Sequence, residues 1–131
     1  ATKTIDRVID ALPVEQREQT KSFLSSSLIA VLTQVLVKTA EGRGRRAVLE
    51  VMVMTRAIAK LIQTDQTFQI PSQLQTGMHL GSQLLDQALL TGLANRELEP
   101  EDAVAYASEK RLFQKYIADT SLLPKLETAS G

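Results

Sequence analysis

The sequence contains no cysteine, no tryptophan and a single histidine, His79. Without cysteine the chain forms no disulfide, no thiolate metal site and no thiol nucleophile. One histidine excludes a His-x-x-x-His zinc site, and no all-carboxylate cluster stands in its place. We therefore expect no metal site. An aromatic content of 4% also argues against a surface that stacks nucleic-acid bases.

Neither the charge nor the hydropathy of the chain points to nucleic acid or to a bilayer. The sequence has 15 basic and 15 acidic residues, whereas a nucleic-acid binder needs excess Lys and Arg to displace counterions from phosphates. No apolar run approaches the roughly 18 residues that a membrane-spanning helix requires. We expect no nucleic-acid partner and no direct membrane insertion.

A phosphate-binding loop of the form Gly-x-x-x-x-Gly-Lys-Ser/Thr is missing as well. Phosphoryl transfer depends on such a glycine-rich cradle, its lysine and a bound magnesium ion. We predict that this polypeptide alone holds no nucleotide cofactor and does not hydrolyse ATP, and we find no candidate catalytic residue.

Apolar residues make up 44% of the chain, which is enough for a buried core. Two helices are predicted first. The earlier one is indicated by four apolar residues at helical spacing, Ile5, Val8, Ile9 and Leu12. Pro13 cannot continue that helix but suits the start of the next, which we expect over residues 14–28.

Residues 29–37 and 47–54 predict an antiparallel hairpin around a turn that contains Gly42 and Gly44. Apolar residues occupy both parities of the first strand, which is typical of a strand covered on both faces. Because a two-stranded hairpin is marginal alone, this pattern favours a larger sheet beside it.

The second half of the chain predicts a series of helices. Thr55 is the expected N-cap of a helix over residues 56–63, and a short helical turn follows between Pro71 and Gly77. Leucine and alanine spacing predicts the longest helix over about 80–93. Pro100 begins another helix, and Ser108 is the expected cap of the last one.

Three polar features allow a functional and a structural interpretation. The basic turn at 43–46 suits a phosphate or partner contact, but a solvated hairpin tip is the commoner case. Glu50 lies among aliphatic residues and needs a partner, either Arg45 or a residue outside this chain. A capping or surface role for His79 is favoured over catalysis, because no nucleophile has a recognisable context nearby.

Several short motifs occur in a fixed order along the chain. They are Thr-Ile-Asp-Arg-Val-Ile-Asp at 4–10, Gly-Arg-Gly-Arg at 42–45, Leu-Glu-Val at 49–51, Gln-Ile-Pro-Ser at 69–72, Gln-Thr-Gly at 75–77 and Leu-Asp-Gln-Ala-Leu at 85–89. In that order the set resembles the C-terminal part of the PilT/PilU group of type IV pilus motor ATPases, which belong to the secretion ATPase superfamily. The resemblance runs from Thr4 to about Ile117.

The resemblance implies an α+β, mainly helical fold. Residues 1–64 would be the end of a RecA-like ATPase core, with helices and the hairpin. Residues 65–119 would form the helical C-terminal subdomain, and we expect residues 120–131 to be a flexible tail.

The resemblance also implies a function for the parent protein. Such a protein would be a hexameric, ATP-hydrolysing motor for pilus retraction in twitching motility, with ATP and magnesium as cofactors. Its partners would be identical subunits and a platform membrane protein of the pilus. The expected location is cytoplasmic, peripheral at the inner-membrane base of the pilus.

Residue roles follow by the same comparison. Family members of the retraction type carry a helix that reads Ala-Ile-Arg-Asn-Leu-Ile-Arg-Glu. Its apolar positions match here, at Ala57, Ile58, Leu61 and Ile62, whereas Ala59, Lys60, Gln63 and Thr64 differ. The family also implies interface or structural roles for Asp6, Arg7, Arg45 and Glu50.

Two other interpretations stay open, and a third is excluded by charge. A pilus-assembly or type II secretion ATPase is disfavoured because those proteins usually carry a tetracysteine zinc element. A free-standing helical interaction module would have no nucleotide role. A small DNA-binding domain built on the basic turn conflicts with the net charge of zero.

Overall fold

Helices dominate the structure, a computed structural model that describes residues 1–119. In chain order the elements are α1 (Thr2–Asp10), α2 (Val14–Ser27), β1 (Ala30–Lys38), β2 (Arg45–Val53), α3 (Arg56–Gln63), α4 (Ile70–Thr76), α5 (Leu85–Ala94), α6 (Pro100–Tyr106) and α7 (Lys110–Ala118). Short 3-10 turns lie at Thr67–Gln69 and Met78–Leu80. The predicted α+β, mainly helical class is confirmed, and within residues 1–119 no helix is long and apolar enough to cross a membrane.

Packing divides the chain into two units that share the hairpin. The first unit contains residues 1–33 and 50–84, and the second contains residues 34–49 and, of the described residues, 85–119. The predicted boundary at 64/65 concerned an assignment to an ATPase core, and that assignment stays a prediction. The predicted flexible tail at 120–131 lies outside the described residues.

The core of the first unit forms where helices α1, α3 and α4 meet one end of the hairpin. Its largest fully buried side chains are Met52, Ile58, Ile62, Ile70 and Leu74, and Ile5 and Ile9 join them from α1. Each helix buries two aliphatic residues at i and i+4, namely Ile5/Ile9, Ile58/Ile62 and Ile70/Leu74, so each helix buries one stripe. Burying an aliphatic side chain contributes roughly 1.5–3 kcal/mol before the cost of ordering it, so this cluster holds the unit together.

The core of the second unit is built by α5, α6 and α7 with the other end of the hairpin. Its buried members include Val37, Val48, Leu89, Leu93, Leu98, Ala103 and Phe113. The ring of Tyr116 meets that of Phe113 edge-on, with centroids 6.3 Å apart, an arrangement that aromatic pairs favour.

The hairpin keeps one register along its whole length. The amide of Thr39 donates to the carbonyl of Gly44 at 3.0 Å, and the amide of Met54 donates to the carbonyl of Ile29 at 2.9 Å. These two bonds, at opposite ends, belong to the same antiparallel pairing, so no bulge shifts it between them. The odd-numbered residues of β1 therefore bond to β2.

Only one face of β1 is covered, which differs from the prediction of a strand buried on both faces. Val37 is fully buried, whereas Leu32 and Leu36 on the opposite face are 64% and 46% exposed. Because successive side chains point to opposite faces, the apolar residues of the second parity lie on an open face within the described chain.

The prediction of the longest helix over 80–93 is wrong. Gly81 adopts φ +97°, a left-handed conformation that favours glycine and ends the preceding 3-10 turn. Leu80 is 52% exposed, and α5 begins only at Leu85. Between them Gln83 pairs with Val51 in an isolated bridge, with both bonds between 2.8 and 2.9 Å. Among the residues that the structure describes, the longest helix is α2, with 14 residues.

The predicted capping role of Ser108 is also wrong. The N-cap residue of α7 is Glu109, without a side-chain cap bond of its own. Instead, the carboxylate of Asp86 accepts the backbone amides of Ser108 and Glu109 at 2.8 and 2.9 Å. An acidic group at a helix N-terminus is favourable, so α5 caps α7 from a distance.

We predict that Gly92→Ala destabilises the chain. A Cβ at residue 92 would lie 2.5 Å from Cδ1 and 2.8 Å from Cγ of the buried Leu98. Overpacking of this kind costs about 1–3 kcal/mol, more than the gain in helix propensity from alanine, at about 1 kcal/mol. Urea denaturation should therefore show a lower midpoint.

Gly44→Ala is the matched control, because no atom lies within 4 Å of a Cβ built there and its φ is not in the left-handed range. Its midpoint should stay close to that of the parent chain. Equal midpoints for all three proteins would show that Leu98 moves aside freely.

Candidate functional site

Helix α3 begins where the sequence predicted. The hydroxyl of Thr55 accepts the amide of Ile58 at 3.2 Å, which makes Thr55 the N-cap. Along the helix the buried positions, Ile58 and Ile62, are four residues apart. The predicted start and end of this helix, at 56 and 63, are both confirmed.

The apolar residues assigned to this helix by resemblance do not share one environment. Ile58 and Ile62 are buried at 1% and 0% exposure, and Leu61 is partly buried against the same core. Ala57 is exposed. Two of the four candidate residues therefore position the helix and are out of reach of a partner.

The exposed side of α3 carries Arg56, Ala57, Lys60 and Gln63, which we call the α3 surface. It contains two cationic groups and no carboxylate of its own. Arg56 lies at the first helical position, where the helix dipole disfavours a positive charge. The α3 surface is suited to a partner that offers acidic or polar groups.

Sequence reasoning did not select Arg56 or Gln63 as functional, because the candidate residues were the apolar positions that match the family helix. The available signal was amphipathicity: with Ile58 and Ile62 inside, residues at 56, 60 and 63 fall on the opposite side.

Helix α2 fixes α3 through polar contacts. The hydroxyl of Ser25 lies 2.7 Å from the carbonyl of Lys21 in α2 and 3.2 Å from the carbonyl of Ala59 in α3, so its one proton is shared between the two helices. The ammonium of Lys21, only 6% exposed, pairs with Asp65 at 2.6 Å and with Glu18 at 2.7 Å. Asp65 follows the C-terminus of α3 and adopts φ 57°, a conformation rare for residues other than glycine. The ion pair therefore ties the end of α3 to α2.

The carboxylates of Asp65 and then Glu18 raise the pKa of Lys21 above its ordinary value, because they stabilise the charged ammonium more than burial destabilises it. The residue Lys21 is 6% exposed, and its ammonium meets carboxylates of two exposed side chains. Sequence analysis did not identify Lys21, although the i, i+3 spacing of Glu18 and Lys21 was visible.

The four residues expected at interfaces or in structural roles lie apart. Asp6 accepts the hydroxyl of Thr67 at 2.8 Å, which joins α1 to the turn after α3. Arg7 is exposed on α1, and Arg45 is exposed at the start of β2, in the second unit.

Glu50 does not pair with Arg45, one of the two partners suggested from the sequence. Its carboxylate accepts a hydrogen bond from the backbone nitrogen of Ala1. Arg45 and Glu50 lie at odd and even positions of β2, so their side chains point to opposite faces of the strand. The neighbouring Arg46 pairs instead with Glu97, with 2.9 Å between Nη1 and Oε1.

The potential metal-ligating side chains of the described residues lie dispersed. No group of three or more His, Cys, Asp or Glu side chains converges within residues 1–119. His79 is exposed, and its Nδ1 lies 3.2 Å from the carbonyl of Thr76, a local contact within the turn.

Comparison with known proteins identifies several relatives. No protein-family model matches the chain. It is 41% identical over 103 residues to a twitching motility protein of Neisseria gonorrhoeae, covering 79% of this chain and 28% of that protein. It is 45% identical over 107 residues to the type IV pilus retraction ATPase PilT of Pseudomonas aeruginosa, covering 79% of this chain and 31% of that protein.

A solved structure agrees. The pilus retraction motor PilT with bound ADP superposes with a TM-score of 0.73 at 28% identity, covering 86% of this chain and 31% of that one. The fold of the chain matches the C-terminal domain of such ATPases. The chain thus spans about a third of the length of the relatives it matches.

We predict that Lys21→Met lowers the free energy of unfolding by about 1–2 kcal/mol, because charged hydrogen bonds are lost while the exposed carboxylates regain water. The effect should depend on pH. A raised folded pKa means that the contribution of Lys21 is complete below its ordinary pKa of 10.5 and disappears as pH rises through the folded value.

The measurement is urea denaturation of the chain and of Lys21→Met between pH 7 and pH 11.5. The difference should be constant at lower pH and shrink above 10.5. Lys60→Met, which removes the same charge from an exposed position, is the control and should change stability by less than about 0.5 kcal/mol. A pH-independent difference would show that packing of the lysine stem is responsible.

Proposed function

We propose, from the premise that this chain is homologous to about a third of the PilT-type twitching-motility ATPases, that it is the C-terminal segment of an ATP-driven motor for pilus retraction. The observation that carries this is the 45% identity to PilT over 107 residues, together with the matching fold. The parent protein would hydrolyse ATP, and this segment would couple motion of the ATPase lobes to the base of the pilus.

In this proposal the segment takes no part in phosphoryl transfer. It has no glycine-rich lysine loop, and the described residues offer no cluster for magnesium. ATP and magnesium would be held by polypeptide outside this chain. The residues of this chain then act by holding α3 in place. Ile58 and Ile62 anchor α3 in the core, Thr55 caps its N-terminus, and Lys21 ties its C-terminal end to α2.

The α3 surface would be the part that transmits force. The apolar side of helix α3 matches the retraction helix of the family, whereas the exposed side of α3 differs from it. A helix held by a buried isoleucine stripe and two polar ties is rigid enough to pass on a displacement. The acidic or polar partner that it suits would be a neighbouring subunit or a platform membrane protein at the inner-membrane base of the pilus.

The remaining candidate residues divide into two roles. Asp6 and Glu50 accept hydrogen bonds within the first unit, so we assign them to its stability. Arg7 and Arg45 are exposed, so we assign them to contacts between subunits of a homohexamer.

The test uses a chimera in which this chain replaces the matched 107 residues of P. aeruginosa PilT. The chimera should hydrolyse ATP and restore twitching to a strain that lacks PilT, whereas the 131-residue chain alone should not hydrolyse ATP. Arg56→Glu with Lys60→Glu should then lower twitching by about tenfold or more, equivalent to about 1.4 kcal/mol of lost binding, while the hydrolysis rate is kept.

Lys3→Glu with Arg111→Glu is the matched control, because both residues are exposed and the change in charge is identical. It should leave twitching and hydrolysis intact. Turnover by the chain alone would refute the placement of the nucleotide site. Parallel loss of hydrolysis and twitching in the α3 variant would show that α3 acts in catalysis and not in transmission.

A further inference from the structure

Residues 64–69, which we call the connector, join α3 to α4 and contribute little to the core. The connector lies between Ile62 and Ile70, which are both fully buried. Of its six residues, Thr67 is half-buried, whereas the others are exposed, and Phe68 reaches 73% exposure. A segment with few buried apolar contacts has low local stability. The connector therefore depends on polar contacts to stay against the rest of the first unit.

Asp65 occupies the position in the connector where glycine is usual. The amide of Gln66 donates to the carbonyl of Leu61 at 2.9 Å, five residues back, which is the bond of a Schellman motif at the end of α3. Asp65, directly before Gln66, has φ 57°. This left-handed conformation costs aspartate less than most residues, but only glycine adopts it freely. The closed form of the connector is therefore strained at Asp65.

Polar contacts with two other helices oppose this strain. The carboxylate of Asp65 lies 2.6 Å from the ammonium of Lys21 in α2. The side chain of Lys21 is 7% exposed and that of Asp65 is 71% exposed, so the cation is fixed in the unit and the aspartate approaches it from the surface. Further along, the hydroxyl of Thr67 donates to Asp6 of α1 at 2.8 Å. The segment between these contacts and the buried end of α3 is residues 64–66.

The end of α5 has the same backbone geometry but is held within its own helix. Arg96 has φ 59°, and the amide of Glu97 donates to the carbonyl of Gly92 at 2.9 Å. The guanidinium of Arg96 lies 3.5 Å from the carbonyl of Leu93, one turn back. A left-handed residue after a helix thus does not by itself require an ion pair with another helix. The pair at Asp65 is a separate feature of the α3 end.

We propose that residues 64–66 open locally while the first unit stays folded, and that the ion pair of Lys21 with Asp65 keeps them closed. In the open state the ion pair and the bond from Gln66 to Leu61 are broken, and Asp65 leaves the left-handed conformation. The strain that is relieved offsets part of the lost attraction, so opening costs less than unfolding. This inference does not depend on the proposed function.

The opening leaves α3 in place but changes what lies beside it. Ile58 and Ile62 remain in the core, because they precede the segment that moves. The segment follows directly on Gln63, the last residue of the α3 surface. Its two states therefore give a partner bound to the α3 surface two different neighbours, and a partner that contacts one state better shifts the population toward it.

The experiment measures hydrogen exchange of single amides in the 131-residue chain. The amide of Gln66 should be protected at least about 100-fold less than that of Ile62. Its exchange should not respond to low urea, because a local opening exposes little new surface. Lys21→Met should speed the exchange of Gln66 by at least about tenfold, since a charged hydrogen bond is lost. Lys60→Met, which removes an exposed charge, is the control and should leave it unchanged.

A second substitution tests the strain directly. In the Lys21→Met background, Asp65→Gly should return the exchange of Gln66 to within about threefold of the parent chain, because glycine closes the turn without strain. Arg96→Gly is the matched control for the same backbone geometry at α5. It should slow the exchange of Glu97 and leave that of Gln66 unchanged.

Asp65→Asn and Asp65→Gly, each with Lys21 kept, give the same comparison if Lys21→Met does not fold. Both remove the ion pair, but only glycine removes the strain, so Gln66 should exchange faster with asparagine than with glycine. Equal protection and equal urea dependence of Gln66 and Ile62 would overturn the proposal, since the segment would then open only with the whole unit. Equal exchange of Gln66 with asparagine and with glycine would overturn it too, because no strain would be stored at residue 65.

Discussion

The register of the hairpin is the constraint on which the rest of the structure depends. A single antiparallel pairing runs from Ile29 and Met54 to Thr39 and Gly44. It directs Met52 into the core of the first unit and Val37 and Val48 into the core of the second. A slip by one residue would turn each of these side chains to the opposite face, and both cores would lose members that are buried almost completely.

The same register makes the position of α3 possible. β2 ends at Val53, and Thr55 caps the helix two residues later, so the orientation of the strand determines where the helix begins. Ile58 and Ile62 then enter the core that Met52 also fills. The exposed α3 surface is a consequence of this burial. Because the isoleucines face the core, Arg56 and Lys60 lie on the opposite side of the helix, where they can contact solvent or a partner. In the proposed function, this segment acts by presenting the α3 surface on a helix that the core holds in place.

Local signals explain what the sequence could predict. α3 was predicted to its exact ends because a threonine cap precedes a clear helical period, and the hairpin was predicted because two glycines separate two β-rich runs. The incorrect predictions concern segments whose structure depends on contacts with residues distant in the sequence. A left-handed Gly81 and the pairing of Gln83 with Val51 interrupt what reads as a continuous leucine helix, and Asp86, not Ser108, caps α7. Apolar residues at both odd and even positions of β1 do not indicate whether a second layer of structure covers the outer face of the strand.

The ion pair of Lys21 shows the same limit, since its decisive partner, Asp65, lies 44 residues further along the chain. Residue matches to a family likewise identified the anchoring isoleucines, but not the surface of α3 that stays exposed once they are buried.

The most direct test of the whole account is an NMR measurement of cross-strand Hα–Hα contacts in the chain. The account predicts strong contacts for the non-hydrogen-bonded pairs Leu32/Val51, Gln34/Leu49 and Leu36/Ala47. Contacts displaced by one residue along either strand would contradict it.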